Sequence, residues 1–375
     1  VAGIYIHIPF CRQKCYYCDF YKTVNSSQTG RFLSALKLEA SERKNYTEGE
    51  NIRTVYFGGG TPSVLKEQEL MEILDVLNDH FHIEEDAEIT FEANPDDLTP
   101  VYLQSLKKAG INRLSIGIQS FFDIHLRKMN RRHDSQQAVR AIEDAFEAGF
   151  ENLSTDLIYG IPGLTLKQWQ ESLRKMFSLP VVHLSAYHLT YHEGTAFYTW
   201  LKKGTLKELS ENESVSQFNL LLDEASQAGF EQYEISNFAR NGVYSKHNMA
   251  YWSGEKYLGL GPSAHSFNGT SRQWNIAHID AYMKLIETDE SFFEEEQLTA
   301  QEHFNEYILT HIRTKWGISL DEINNRFGEE YVDWVAHEAE KHILSGKMME
   351  QKGVLTLTRE GLFVSDDLMT GFMMV

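Results

Sequence analysis

Short runs rich in β-branched and aromatic residues recur through the first half of the chain, separated by amphipathic stretches. The β-rich runs are Ile4–Ile8, Thr54–Phe57, Glu88–Glu92, Arg113–Ile118, Asn152–Leu157 and Val182–Tyr187. Apolar residues at helical spacing predict intervening helices near Arg31–Lys44, Glu67–His80, Pro100–Ala109, Ser135–Ala148 and Leu166–Phe177. Strict alternation of strand and helix predicts a parallel sheet, hence an α/β fold. The Ala109-Gly110, Ala148-Gly149 and Ala228-Gly229 pairs mark helix ends, where glycine accepts the left-handed cap.

The alternation weakens after about Tyr187. A helix is predicted over Ser210–Gly229 and a short strand over Glu231–Ile235. From Asn237 to Asn275 the chain is rich in Gly, Asn, Ser and aromatics and reads as loop-dominated, and the acidic run Phe293–Gln297 reads as a solvated connector. Beyond it come helices near Ala300–Lys315, Ser319–Phe327 and Glu330–Ser345, then strands Met348–Gln351 and Val354–Leu357, an order that predicts a small winged-helix-like domain. Three regions follow: a barrel over 1–200, an extension over 201–295, and a C-terminal domain over 296–375.

Charge narrows the partners. With 35 Lys and Arg against 54 Asp and Glu, the net charge of −19 argues against nucleic acid and anionic membrane surfaces. No leader pattern and no apolar run of about 18 residues is visible, so a cytoplasmic protein is expected. The chain has only three cysteines, too few and too close together for a disulfide framework.

Those cysteines are the strongest chemical signal. Cys11, Cys15 and Cys18 form a C-x3-C-x2-C loop directly after the first strand, and no fourth cysteine exists. A [4Fe–4S] cluster normally takes four thiolates, so three leave one iron open to a small-molecule ligand. A three-Cys, one-His zinc site, with His7 or a remote histidine as fourth ligand, is the alternative. Gly58-Gly59-Gly60-Thr61 follows the second strand and lets backbone approach a ligand closely. Glu92, Gln119 and Asp156 stand at three successive strand ends, where a buried parallel strand ordinarily ends apolar. Ligand sites of parallel α/β sheets gather at those carboxyl ends.

Taken together, Tyr5-Ile-His-Ile-Pro-Phe-Cys11-x3-Cys15-x2-Cys18, Gly58-Gly-Gly-Thr-Pro, Ser115-Ile-Gly-Ile-Gln-Ser-Phe and Asp156-Leu-Ile-Tyr-Gly-Ile-Pro resemble the radical S-adenosylmethionine (SAM) proteins of the HemN/HemW group. The resemblance spans nearly the whole chain. It implies an incomplete (β/α)6 barrel and a [4Fe–4S] cluster on Cys11, Cys15 and Cys18, with SAM chelating the open iron. It further implies that Tyr5, Tyr17, Gly58, Gly59, Gly60, Thr61, Glu92, Gln119, Arg131 and Asp156 line SAM, and that a reductant protein feeds the cluster.

Two activities of that group compete. One is oxygen-independent coproporphyrinogen III dehydrogenation, the other haem binding and delivery to apoproteins, membrane-associated ones included. The dehydrogenase pattern carries a further cysteine two residues past the loop, where this chain has Phe20. His247-Asn248-Met249-Ala250-Tyr251-Trp252 matches the H-N-x-x-Y-W motif of the haem-delivery branch, which implies His247 as iron ligand with Tyr251 and Trp252 beside haem. His265 is a further candidate ligand. Haem chaperoning is therefore the expected function, with the dehydrogenase as the alternative.

Overall fold

The computed structural model describes residues 1–374. Strands β1 (Ala2–Ile8), β2 (Ile52–Gly59), β3 (Ile83–Ala93), β4 (Arg113–Gln119), β5 (Asn152–Tyr159) and β6 (His183–His188) lie parallel and in chain order. Helices Thr29–Glu42, Glu67–His80, Pro100–Lys108, Ser135–Glu147 and Leu166–Phe177 connect them, joined by a short unanticipated helix at Asp123–Lys128. Alternation within each strand sorts the two faces. Ile4, Ile6, Val55, Phe57, Phe91, Leu114 and Ile116 are fully buried in the main core. The opposite face carries Tyr5, Tyr56, Glu92, Arg113 and Asp156, so the inside of the curved sheet is polar.

Two expectations fail in the next region. The supposed loop Asn237–Asn275 holds a helix, Lys246–Trp252, and four strands. In chain order the strands after β6 are β7 (Phe230–Gln232), β8 (Asn237–Arg240), β9 (Lys256–Leu260), β10 (His265–Phe267) and β11 (Ser271–Asn275). The acidic run is no connector: it is β12 (Phe293–Gln297), an edge strand paired antiparallel with β11. Carboxylates on an edge strand discourage a further strand from adding, which is why so acidic a segment can be a strand at all. The complete sheet runs β12-β11-β10-β9-β1-β2-β3-β4-β5-β6-β8-β7. Strand β9 pairs parallel with β1, so the sheet continues past the first strand and stays an open, partial barrel.

The C-terminal part packs helices Ala300–His311, Leu320–Arg326 and Glu329–Leu344 with β13 (Ile318–Ser319), β14 (Met348–Gln351) and β15 (Val354–Leu357). Helices Arg359–Phe363 and Ser365–Phe372, not anticipated from the sequence, close the chain. Phe304, Ile308, Ile312, Val335 and Phe372 form a core separate from the main one, which runs from Ala2 to Phe292. Among the described residues no helix is long and apolar enough to cross a membrane.

One buried ion pair fastens the β9–β12 wing to the first helix. Glu39, fully buried, lies 3.3 Å from Arg43 and accepts from Asn275 at 2.6 Å, Tyr282 at 2.5 Å and the Gly261 N–H at 2.8 Å. Arg43 in turn donates to the Gly259 carbonyl and to Gln273. Removing one member of such a network strands the other charge, at a cost of about 3–5 kcal/mol. Glu39→Ala is therefore expected to lose stability of that order, read as a lowered urea midpoint, whereas changing the exposed Glu42 leaves the midpoint within about 0.5 kcal/mol.

Candidate cofactor site at the carboxyl end of the sheet

The glycine turn sets the geometry. The Gly60 N–H donates to the Ile8 carbonyl at 2.8 Å, and a Cβ there would sit 2.8 Å from the carbonyl oxygens of Ile8 and Phe10. Gly59 has φ +102°, and a Cβ on it would meet the His7 ring at 2.6 Å. At Gly58 a Cβ would lie 2.9–3.1 Å from Tyr56, Tyr5 and Glu92. The end of β2 is thus pressed onto the end of β1 and the start of the cysteine loop, which only glycine permits.

From that turn a line of polar contacts runs across the sulfur loop. Cys11 Sγ lies 3.2 Å from Thr61 Oγ1, and Asn94 Nδ2 reaches the same hydroxyl at 3.4 Å. Arg131 Nη2 donates to Asn94 Oδ1 at 2.5 Å and to the Gly117 carbonyl at 2.7 Å, while its Nη1 approaches Cys15 Sγ at 3.5 Å. Gln119 stands beside this guanidinium: a Cβ on Gly117 would meet Gln119 Nε2 at 2.9 Å and Arg131 Nη2 at 3.5 Å. Gln119 also adopts φ +65°, a conformation that costs a non-glycine residue free energy and that clusters at functional sites. Tyr17, from inside the loop, lies within charge range of Arg131, Cys15, Cys18 and Asp156.

Tyr5, Tyr17, Glu92, Arg131 and Asp156 all retain some accessible surface although protein surrounds them, so the site keeps contact with solvent. Tyr56 donates to Glu92 at 2.7 Å, and Ser115 donates to Asp156 at 3.3 Å. Burial pushes Glu92 up to about 7, with the Asp156 charge adding to the effect. Burial likewise lifts Asp156 to about 6, against the pull of Ser185, Arg113, Ser115 and Arg131.

All ten residues expected around SAM thus gather at one end of the sheet with the cysteines. Asn94, Tyr56 and Arg113 join them without having been anticipated. Asn94 follows Glu92 by two residues, and Tyr56 and Arg113 occupy inward strand positions, so the signal lay in the two-residue period. The donor set fits a cluster with one open iron: three thiols, no fourth, and an Arg131 Nε that is buried without a hydrogen-bond partner. His7, a zinc-ligand candidate, has both ring nitrogens engaged, by the Tyr21 carbonyl at 2.9 Å and Tyr5 at 3.2 Å. No group of three His, Cys, Asp or Glu side chains converges as one metal ion requires among the described residues.

His247 lies at the other end. It rests on the row Gly3–Thr54–Glu88, near the amino ends of β1 and β2 and below Tyr5 and Tyr56. Thr54 Oγ1 meets its Nδ1 at 2.8 Å, Tyr251 meets its Nε2 at 3.0 Å, and its ring stacks 4.9 Å from Tyr56. Burial lowers its pKa to about 3. To ligate iron it must first release Thr54 or Tyr251. Trp252 packs under the Arg313 guanidinium, 4.7 Å away.

An open parallel sheet with a three-cysteine loop after its first strand and a glycine turn after its second defines a radical SAM protein. Residues 5–176 match the Radical SAM superfamily, and residues 298–364 match the HemN C-terminal domain. The chain belongs to the HemW family: it is 35% identical over 380 residues to "Heme chaperone HemW" of Bacillus subtilis, covering 100% of this chain and 99% of that protein. The protein of the same name from Mycobacterium tuberculosis H37Rv is 35% identical over 85% of this chain and 83% of its own length. Coproporphyrinogen III oxidase (HemN) from Escherichia coli shares the fold, with a TM-score of 0.86 at 22% identity, covering 99% of this chain and 89% of that one.

The raised carboxylates make a pH prediction. Between about 4.5, the ordinary value for Glu92, and about 7, the folded chain holds more protons than the unfolded chain. Stability without cofactor therefore falls as pH rises through that window. Glu92→Gln removes its share, on the order of 1–2 kcal/mol given the site's contact with solvent. Urea midpoints measured across the window are expected to slope less steeply in the variant.

Proposed function

We propose that this chain carries haem as cargo in the cytoplasm and hands it to acceptor apoproteins, membrane-associated ones included, using a [4Fe–4S] cluster and SAM. The observation that carries the cofactor part is the contact line Cys11–Thr61–Asn94–Arg131–Cys15, which ties the thiol loop to the glycine turn. In this reading Cys11, Cys15 and Cys18 hold the cluster. The Gly58–Gly60 backbone and Thr61 face SAM, with Tyr5, Tyr17, Glu92, Gln119, Arg131 and Asp156 around it. When bound, the cluster and SAM supply one-electron chemistry, fed by a reductant protein. The chain's own residues orient and neutralise. Arg131 sets positive charge beside Cys15, and Glu92, kept easily protonated, can donate as well as accept a hydrogen bond. Residues 1–200 form the cofactor barrel, 201–295 its cargo-bearing extension and 296–375 a C-terminal domain.

Phe20 separates this reading from the dehydrogenase. It occupies the position two past Cys18 and is 65% exposed, presenting an apolar ring beside the loop and no thiol. The relatives named as haem chaperones support the same choice.

Anaerobic reconstitution is expected to load about four iron and four sulfide per chain, lost on Cys→Ala change at position 11, 15 or 18. Haem-loaded protein is expected to transfer haem to an apo-cytochrome b, followed by the Soret band. With coproporphyrinogen III, SAM and a reductant, no protoporphyrinogen should form, and turnover would overturn the chaperone reading.

A further inference from the structure

The helix Lys246–Trp252, which carries His247, Tyr251 and Trp252, has seven residues. A helix that short does not hold by itself in water, so its place is set by what touches it. Both ends of the segment are joints. Asn241 and Gly242 precede it with φ +55° and +72°, and Gly254 follows it with φ +68°. Among the described residues no atom beyond the chain neighbours lies within 4 Å of where a Cβ would stand on either glycine, so neither joint is packed in.

Two sets of contacts hold the segment down. On the barrel side the His247 N–H donates to Glu88 Oε1 at 3.2 Å, and Thr54 Oγ1 meets Nδ1 at 2.8 Å. On the other side stands the turn that follows the first helix of the C-terminal domain. There Arg313 lies 4.7 Å over the Trp252 ring, while Lys315 Nζ donates to the Tyr244 hydroxyl at 2.5 Å and to Glu231 at 2.7 Å. Trp316 meets Tyr244 edge-on at 5.6 Å. Tyr244 and Trp252 flank the helix, so one turn of the C-terminal domain grips it at both ends.

The grip is incomplete. Trp252 Nε1 and Arg313 Nε are buried without hydrogen-bond partners among the described residues, and water would satisfy both if the helix moved out. Beneath the helix lies a cavity of about 290 Å³ whose lining includes Thr54, Glu88, Asn152, Val243, Met249 and Ala250. Ligand pockets begin at about 300 Å³, and a tetrapyrrole needs more room than that. An outward swing of the helix enlarges the cavity and parts Thr54 from the His247 ring. Tyr251, one turn further along the same helix, travels with the ring.

We propose that Arg313 and Lys315 are positioning residues for haem uptake: they latch the Lys246–Trp252 helix onto the barrel floor, and His247 takes haem iron once the helix swings out on Gly242 and Gly254. This rests on the haem-carrying reading above. The latched state withholds the ligand, so apparent affinity is the open-state affinity scaled by the fraction of chains that are open. Loosening the latch therefore speeds and tightens haem binding, whereas loss of a merely structural contact weakens it.

Lys315→Ala leaves the Arg313–Glu234 pair in place and tests the latch in the full-length chain. Without haem, amide hydrogen exchange over residues 246–252 is expected to rise about threefold or more, with β1 to β5 as protected as in wild type. With ferric haem in stopped flow, the Soret band is expected to appear faster by a similar factor and at the wild-type position. Arg313→Ala should act in the same direction and Arg313→Lys should stay near wild type. Adding His247→Ala to Lys315→Ala should abolish the gain. Unchanged exchange over 246–252 overturns the latch and leaves the haem reading standing, as does haem binding that is unchanged or slower in Lys315→Ala. A gain that survives without His247 also overturns it. If neither wild type nor Lys315→Ala takes up haem, the haem reading falls and the latch's role in uptake falls with it.

Discussion

Everything at the carboxyl end of this sheet depends on how closely the end of β2 approaches the end of β1. The Gly60 N–H and the Ile8 carbonyl fix that approach, and the missing Cβ atoms of Gly58, Gly59 and Gly60 make it possible. Because the turn lies against Phe10, the chain leaves β1 directly into the cysteine loop at a defined height. Thr61 then comes within reach of Cys11, Asn94 within reach of Thr61, and Arg131 within reach of both Asn94 and Cys15. A single methyl group at Gly60 would meet two backbone carbonyls, which cannot rotate away as a side chain can. The displaced turn would carry Thr61 with it and open the line of contacts at its first step.

The interior beneath this line is unusually polar for a parallel sheet. Arg113, 2% exposed, forms no ion pair among the described residues, and its Nε has no hydrogen-bond partner; Thr90 Oγ1 is also buried and unpaired. Burying polar groups without partners costs roughly 1–3 kcal/mol each on protein scales. Glu92 and Asp156 add two carboxylates whose charged forms the site disfavours. A fold optimised for stability alone would fill these positions with Val and Ile. The arrangement stores instability in the site and offsets it in the apolar outer layer.

How much of this was legible in the sequence differs by element. The six parallel strands and five of their connecting helices were, because each is a local run with its own period and its own breaker. So was the sulfur loop, whose spacing is chemical rather than conformational. Tyr56 and Arg113 were missed, although each occupies an inward position in the two-residue period of its strand. The wing was hidden for another reason. Strand β9 exists because β1, some 250 residues earlier, offers it an edge, and no local pattern announces a partner so distant. Glycine and asparagine between Asn237 and Asn275 mark the turns between those strands, and turn residues dense enough to resemble a loop mask short strands among them.

The histidine motif shows the same difficulty from the functional side. His-Asn-x-x-Tyr-Trp points to a ligand by residue type, yet burial decides what an imidazole can do. Placed on Gly3 and between Thr54 and Tyr251, His247 acts on its surroundings through stacking and hydrogen bonds. A Cβ on Gly3 would touch its ring at 3.3 Å, so the motif and the small residue in β1 fit one another. The ring supports Tyr56, which supports Glu92, and stacks also with Tyr5 at 6.4 Å, 27° from parallel. Tyr5 is then shared by the barrel and its wing: its ring lies against Gly58 on the cofactor side, and its backbone pairs with Gly259 of β9 on the other. A motif at the floor of the barrel thereby fixes the position of the Tyr5 ring, while both imidazole nitrogens stay engaged until Thr54 or Tyr251 releases one.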